Sequence, residues 1–362
     1  MPAGTPSKPA GTDPIPGTGP YVISSYRPGK DLVLERNPHF REWSAAAQPD
    51  GFPDALHWTF GPTPDQSIDA VESGTADWYS STPPADRGQE VVTRFAGQAH
   101  AYPQEATLFW AMNTRLPPFD DIRVRRAVNY ATDRGELLQT YGTLGARITC
   151  QDLPPNSQGY VPYCPYTVNP GPGGQWTAPD MAKARELLRE AGNPHTHVTV
   201  WTGPPLVGQA RYFGRLLTSL GFPSSVHVEP NQQRFFESVY VSPSRVQFAF
   251  SGWLADYSAA SDFIATQFTC DSIRRNAPGA NLNTGQLCDP ELDRRVAAAE
   301  AAETQDPQLA GRLWAAADRA VVDLAPAVFV ATPEGLDFVS ARVQNYQHSP
   351  QWGILLDQLW VR

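Results

Sequence analysis

The regular alternation of helix and strand patterns in the middle of the chain constrains its fold more than any other feature. Helix patterns at 179–192, 209–221 and 232–241 alternate with strand patterns at 197–201, 226–229 and 246–253. The connections between them are short, which is typical of an α/β layer with a largely parallel sheet. The sequence therefore predicts an α/β protein.

Further elements flank this layer on both sides. Before it, the patterns predict a β-hairpin over 17–37 and a strand at 55–60. Within 64–79 they predict a short helix that Gly74 ends, with the next extended run opening at Asp77. A strand at 105–113 follows, and then a helix over 117–142 that begins at Asp120 or Asp121. After it, helices at 289–303 and 306–325 each open with Asp-Pro, and strands follow at 325–332 and 357–362. Residues 1–16 are rich in Pro, Gly and Thr, which predicts a flexible leader.

Composition and charge exclude several classes of protein. The net charge of −9 argues against a nucleic-acid partner, because nucleic acids select basic surfaces. No apolar run is long enough to span a membrane, and the first twenty residues lack the basic and apolar regions of a signal peptide. The usual catalytic and phosphate-binding motifs are also missing from the sequence. We therefore expect no enzyme activity, no cofactor and no metal site.

The four cysteines form two local pairs in the sequence, Cys150 with Cys164 and Cys270 with Cys288. Neither pair has the spacing of a zinc site. Two disulfides would suit an oxidising compartment, and each would stabilise the fold by roughly 3 kcal/mol. Four buried thiols are the alternative, but the Pro- and Gly-rich context of the first pair favours a loop closed by a disulfide.

The stretch WLADYSAASDF at 253–263 places Asp256 between Trp253 and Tyr257, just after a predicted strand. A charge beside large aromatic side chains is costly unless a cation pairs with it. That cation is either an arginine of the same chain or a positively charged ligand. The chain has ten tryptophans, several of them near strand ends, where tryptophan often lines a binding cleft. Packing in the core is the alternative for most of them.

Several motifs, in the same order along the chain, resemble family 5 of the bacterial extracellular solute-binding proteins. That family includes the oligopeptide-, dipeptide- and nickel-binding components of ABC importers. The resemblance is carried by the segments GTGPYVISSYRPGKDLVLERNPHF, AVESGTADW, AMNTRLPPFDDIRVRRAVNYATDR, AKARELLREAG, WLADYSAASDF and CDPELDRRVAAAEAAETQDPQLAGRLWAAADR. One departure is Ala260, at a position where proline is commoner in the family.

The resemblance implies a periplasmic-binding-protein type II-like fold, with two lobes built from mixed sheets and flanking helices. A partial first lobe would comprise 17–110 and 327–362, and a second lobe would comprise 111–326. The first lobe is expected to be incomplete, because a signal peptide and further strands precede the hairpin in the family. Both cysteine pairs also fall where secreted members of the family carry cysteines.

The resemblance also implies a function, which is the binding of an extracytoplasmic solute, in the first place a peptide. Two lobes would close on the ligand by a hinge and deliver it to the permease subunits of an ABC importer. Asp256 would pair with the α-ammonium group of the ligand, Trp253 and Tyr257 would flank it, and Trp110 and Asn113 complete the predicted ligand-binding residues.

The same resemblance predicts the location, the oligomeric state and the membrane contacts of the full-length protein. It would be a monomer at the cell surface or in the periplasm, and it would meet the membrane only through the transporter or a lipid anchor missing from this chain. Two alternatives stay open on the sequence alone. One is a ligand-sensing domain of a larger regulatory protein, and the other is a truncated, non-functional member of the family.

Overall fold

The computed structural model describes residues 17–46, 49–81, 83–140, 145–241, 245–273, 281–350 and 352–362. The predicted leader at 1–16 therefore lies outside the described residues. The first part of the chain forms β1 (Tyr21–Arg27), β2 (Asp31–Arg36), β3 (Ala55–Thr59), α1 (Pro64–Glu72), β4 (Trp78–Tyr79), α2 (Ala85–Arg94), β5 (Ala99–Pro103) and β6 (Ala106–Met112).

The middle of the chain forms α3 (Ile122–Ala131), α4 (Arg134–Gln139), β7 (Ala146–Ile148), α5 (Met181–Glu190), β8 (Val198–Thr202), α6 (Val207–Ser219), β9 (Ser224–Val228), α7 (Gln232–Phe236) and β10 (Phe248–Leu254). The last part forms α8 (Ala260–Phe268), α9 (Pro290–Glu303), α10 (Pro307–Leu324), β11 (Ala327–Val339), β12 (Val343–Gln344), β13 (His348–Ser349), β14 (Gly353–Ile354) and β15 (Trp360–Val361).

The structure confirms most of the predicted elements and several of their N-caps. The hairpin predicted over 17–37 is formed by β1 and β2, which pair antiparallel. Asp121 caps α3 by accepting a backbone N–H bond. Asp289 and Asp306 cap α9 and α10, and each accepts two backbone N–H bonds ahead of a proline at the start of the helix. These caps satisfy donors that would otherwise lack a partner at the helix N-terminus.

The single helix predicted over 117–142 is wrong, because the structure has α3 and α4 there. Thr132 ends α3 with an extended backbone, at φ −74° and ψ 119°. Asp133 then caps α4 by accepting the N–H of Glu136 at 2.9 Å. The apolar period that predicts α3 ends at Ala131, and a second capping aspartate, Asp133, marks the break.

Two other predicted elements are only partly regular. The helix predicted over 232–241 is α7 followed by a π-helical turn at Glu237–Val241. The strand predicted over 357–362 is a 3₁₀ turn at Leu356–Gln358 followed by the short β15.

The chain divides into two compact units. Unit 1 comprises Met1–Tyr102 and Gly335–Arg362, and unit 2 comprises Pro103–Glu334. Unit 2 extends further at both ends than the second lobe predicted at 111–326, because β6 and the first part of β11 pair within its sheet. The predicted division into two lobes that close on a ligand stays a prediction.

Unit 1 is built on a three-stranded antiparallel sheet in the order β1–β2–β3. The Tyr21 hydroxyl donates a hydrogen bond to the Pro53 carbonyl at 2.6 Å, and the Trp58 and Trp78 rings meet edge to face at 5.5 Å. β4 pairs antiparallel with the last residues of β11. Helices α1 and α2 and two short strand pairs, β12 with β15 and β13 with β14, also belong to this unit.

The sheet of unit 2 is mixed rather than largely parallel. Its strands follow the order β11–β6–β10–β8–β9, with β7 paired to β11. β8 is parallel to both β9 and β10, whereas β6 is antiparallel to both β10 and β11. The parallel strands are those that α6 and α7 connect, as helical crossovers require. The helix–strand alternation in the sequence includes only β8, β9 and β10, so it does not predict the direction of β6.

Side chains from the two faces of this sheet enter separate hydrophobic clusters. Along β6, Trp110 and Met112 pack into one cluster, while Phe109 and Ala111 pack into the other. This alternation follows from the two-residue period of a strand. Helices α3 to α6 cover the first face, and helices α8 to α10 cover the second. Within the described residues, we find no helix that combines the length and the apolar character needed to cross a bilayer.

Candidate functional site

The stretch WLADYSAASDF runs from the end of β10 into the start of α8, and both elements belong to unit 2. Trp253 and Leu254 are the last residues of β10, where Trp253 lies opposite Thr107 of β6. The helix begins at Ala260, and its N-cap residue Ala259 contributes no side-chain cap. We refer to residues 255–259, which connect the two elements, as the β10–α8 loop.

A buried aspartate that the sequence analysis did not single out fixes this loop. Asp262 lies in the first turn of α8 and is 1% exposed. Its Oδ2 atom accepts two hydrogen bonds, from Trp253 Nε1 at 3.0 Å and from the backbone N–H of Asp256 at 2.7 Å. One carboxylate oxygen therefore holds the Trp253 ring and the Asp256 backbone. The signal that could have revealed it is an acidic residue among the mainly apolar buried positions of a short helix.

Glu105 provides a second buried attachment for the loop. Its backbone carbonyl accepts the N–H of Ala255 at 2.8 Å, and its Oε2 accepts the Ser258 hydroxyl at 2.6 Å. The Glu105 side chain is buried, and it precedes the first residue of β6. Neither Glu105 nor Asp262 makes an ion pair within the part of the chain that the structure describes. Both carboxylates are thus stabilised by hydrogen bonds.

The side chains of Asp256 and Tyr257 lie on the surface of unit 2. Asp256 is exposed, and Tyr257 is 47% exposed. The Tyr257 hydroxyl lies 3.5 Å from the Ser261 hydroxyl, one helical turn into α8. Trp253 is half-buried and packs against the cluster on the second face of the sheet. Trp253 at the end of β10 and Asp256 and Tyr257 on the β10–α8 loop therefore lie within five residues of one another, and Asp262 bonds both the Trp253 ring and the Asp256 backbone.

Trp110 and Asn113 lie apart from this group in the interior of unit 2, and their role as ligand contacts stays a prediction. Trp110 is 0% exposed and lies in the core, with its ring centroid 4.9 Å from that of Phe213 and 5.7 Å from that of Phe248. Asn113 is 2% exposed, and its Nδ2 donates to the Val246 carbonyl at 3.1 Å. Both side chains are thus enclosed within unit 2, and Trp110 packs in the core there.

Two further buried carboxyl groups of unit 2 lie near this region. Asp318 accepts Gln151 Nε2 at 2.6 Å and the backbone N–H of Asp152 at 3.1 Å. Burial raises the pKa of Asp318 to about 7, although these hydrogen bonds lower it. Burial also raises the pKa of Asp152 well above its usual range, and the charges of Asp318 and Asp262 raise it further. Unit 2 thus contains carboxyl groups that stay protonated at pH values where surface carboxyls are ionised.

The two predicted disulfides are confirmed. Cys150 is bonded to Cys164 with a Cα–Cα distance of 5.0 Å, and Cys270 is bonded to Cys288 with a Cα–Cα distance of 4.3 Å. Both lie in unit 2. Among the described residues, no three His, Cys, Asp or Glu side chains are grouped closely enough to hold a metal ion.

Comparison with known proteins gives a consistent family relationship. Residues 3–274 match the model of bacterial extracellular solute-binding proteins, family 5 Middle. The chain is 28% identical to probable di/tripeptide-binding protein 5 of Pseudomonas aeruginosa strain UCBPP-PA14, over 97% of this chain and 62% of that protein. It is 24% identical to the glutathione-binding protein GsiB of Salmonella paratyphi A, over 97% of this chain and 65% of that protein. The chain thus spans less than two thirds of the length of these relatives.

Solved structures agree with the fold. The clavulanic acid biosynthesis oligopeptide binding protein 2 superposes with a TM-score of 0.82 at 24% identity, covering 95% of this chain and 63% of that one. A dipeptide binding protein from Pseudoalteromonas sp. SM9913, in complex with Met-Leu, superposes with a TM-score of 0.72 at 21% identity, covering 96% of this chain and 64% of that one. The predicted α/β fold of the periplasmic binding-protein type is therefore confirmed.

Proposed function

Because this chain belongs to family 5 of the bacterial extracellular solute-binding proteins, we propose that it binds short peptides and that Asp256 holds the α-ammonium group of the ligand. The names of the relatives support a peptide ligand, since they describe di/tripeptide- and glutathione-binding proteins. Members of the family are binding proteins, so the proposed role is recognition without chemical conversion. The proposal also covers delivery of the ligand to the permease of an ABC importer.

One observation carries the assignment of Asp256. Its exposed side chain sits on a loop that the Asp262 carboxylate holds at the Asp256 N–H and that Glu105 holds at Ala255 and Ser258, with Trp253 and Tyr257 nearby in the chain. A carboxylate between aromatic side chains suits an ammonium group, because it offers charge pairing and cation–π contact together. A fixed loop also lowers the entropy lost when the ligand binds. Asp256 and the two aromatic residues are therefore our proposed ligand contacts.

The location that we propose is outside the cytoplasm, as the family description implies. Two disulfides within one compact unit support this, since disulfides persist in oxidising compartments. Closure of two lobes by a hinge and a monomeric state remain predictions from the resemblance. For closure to be driven by the ligand, the ligand must bind the closed state more tightly than the open one.

Calorimetric titration of the 362-residue chain with dipeptides, tripeptides and glutathione tests the proposal. We expect Asp256→Asn to weaken binding at least tenfold, about 1.4 kcal/mol, while the melting temperature stays nearly unchanged because the side chain is exposed. N-acetylation of the same peptide should weaken binding to the wild-type protein similarly. The matched control is Asp120→Asn, an exposed aspartate of unit 2 in another segment. Equal affinity of Asp256→Asn and wild type would contradict the assignment.

A further inference from the structure

We propose that Asp262 is a positioning residue for the ligand site, which sets the Trp253 ring and the Asp256 backbone in the arrangement that receives the ligand. This inference rests on the proposed function and concerns the same loop. It starts from one atom, Asp262 Oδ2, which accepts hydrogen bonds from Trp253 Nε1 at 3.0 Å and from the Asp256 N–H at 2.7 Å. Removing that acceptor releases both groups at once.

The position of Asp262 argues for a role beyond stability. The buried face of α8 is otherwise mainly apolar, with Ala260, Phe263 and Ile264 packed in the cluster under the helix. A buried carboxylate at such a position is costly unless it is hydrogen-bonded. An apolar residue would suit this cluster better if packing were the only requirement. Both hydrogen bonds instead go to residues of the proposed ligand site, which is the arrangement expected of a supporting residue.

Glu105 supports the same loop from β6. Its carbonyl holds the N–H of Ala255, and its carboxylate holds the Ser258 hydroxyl. The loop is therefore attached at Ala255 and Asp256, and again at Ser258, so attached residues stand before and after Tyr257 in the chain. A loop held in this way keeps its exposed side chains oriented before the ligand arrives, which reduces the entropy lost on binding.

Two substitutions separate positioning from charge. In Asp262→Asn the amide oxygen can accept both N–H bonds, so we expect the Kd for the peptide to stay within about threefold of the wild-type value. In Asp262→Ala both bonds are lost, and we expect the Kd to rise about tenfold or more. The matched control is Asp318→Ala, because Asp318 is equally buried and also accepts backbone N–H bonds, but from residues 152 and 153. We expect Asp318→Ala to change thermal stability and to leave the Kd within about twofold.

A ligand-free measurement accompanies the titration. The Trp253 indole N–H signal in a ¹⁵N NMR spectrum, assigned with Trp253→Phe, should shift in Asp262→Ala and stay near its wild-type position in Asp318→Ala. Amide exchange of Asp256 should accelerate in Asp262→Ala only.

The outcomes are distinct. If the wild-type chain binds no peptide, the proposed function fails, and the indole and amide signals still test positioning. If peptides bind wild type and Asp262→Ala equally, or if Asp318→Ala weakens binding as much, the positioning role is overturned. Equal weakening in Asp262→Asn and Asp262→Ala would also overturn it, because charge would then matter rather than the acceptor.

Discussion

Asp318 should make the stability of unit 2 fall as the pH rises from about 4 to about 7. Burial raises the pKa of its carboxyl group from 3.8 to about 7 in the folded protein. Between these values the folded state keeps the proton and the unfolded state has released it, so folding becomes less favourable with increasing pH. Each pKa unit corresponds to about 1.4 kcal/mol. Between pH 5 and pH 8 the loss from this group is therefore roughly 3 kcal/mol.

The assay compares wild type with Asp318→Asn in calorimetric melts at pH 5, 6, 7 and 8. The substitution costs a constant amount of stability through its altered hydrogen bonds to Gln151 and to the backbone, but it cannot titrate. We expect the melting temperature of unit 2 in wild type to fall by about 6–12 °C more than in the variant over this range. Asp152 acts in the same direction, since its pKa is also raised by burial.

Other titratable groups do not produce this difference in pH dependence between wild type and Asp318→Asn. The pKa of Asp121 is lowered by its hydrogen bond to Arg123, so its contribution to stability is lost only as the pH falls below about 4. Burial lowers the pKa of His100 and His348, which act in the opposite direction near pH 6, but both belong to unit 1 and are unchanged in the variant. Parallel pH profiles of wild type and Asp318→Asn would refute the reasoning.

Two further predictions concern the core and the disulfides of unit 2. Trp110→Ala should lower the free energy of unfolding by roughly 3–5 kcal/mol in urea titrations, because it empties a fully enclosed site. Trp110→Phe should cost much less, since the Trp110 N–H has no hydrogen-bond partner among the described residues, and similar losses in both variants would contradict this. Replacing Cys270 and Cys288 together by serine should lower the free energy of unfolding by roughly 2–4 kcal/mol, because the loop between them is no longer closed by a disulfide in the unfolded state. Reductant should then act mainly on the remaining disulfide, and an unchanged urea midpoint in the double variant would contradict the prediction.

The fold was largely predictable because its signals are local. Asp-Pro at 289–290 and at 306–307 marked two helix starts, and the alternating patterns from 179 to 253 marked the parallel strands and their helices. The direction of β6 was not predictable in this way, because its partners lie more than a hundred residues away along the chain. The break at Thr132 is marked in the sequence by Asp133, which caps the second helix, and by the end of the apolar period at Ala131.

The candidate site was predictable only in part, and burial explains the difference. Asp256 and Tyr257 are exposed, as a ligand contact in a loop requires. Trp110 was grouped with them by residue type and position near a strand end, but residue type does not reveal that three phenylalanine rings surround it. Asp262 was missed for the converse reason, since a carboxylate that serves as an internal acceptor has no sequence motif of its own.

The oxygen of Asp262 shared by Trp253 and Asp256 has a consequence for how this surface can change during evolution. The ring and the backbone share one acceptor, so a substitution that moves the Asp262 carboxylate disturbs both. Substitutions at 253 and 256 that keep Asp262 in place therefore leave the loop attached, whereas a change at 262 affects both positions at once. We expect related proteins of different ligand preference to vary at 253 and 256 more readily than at 262.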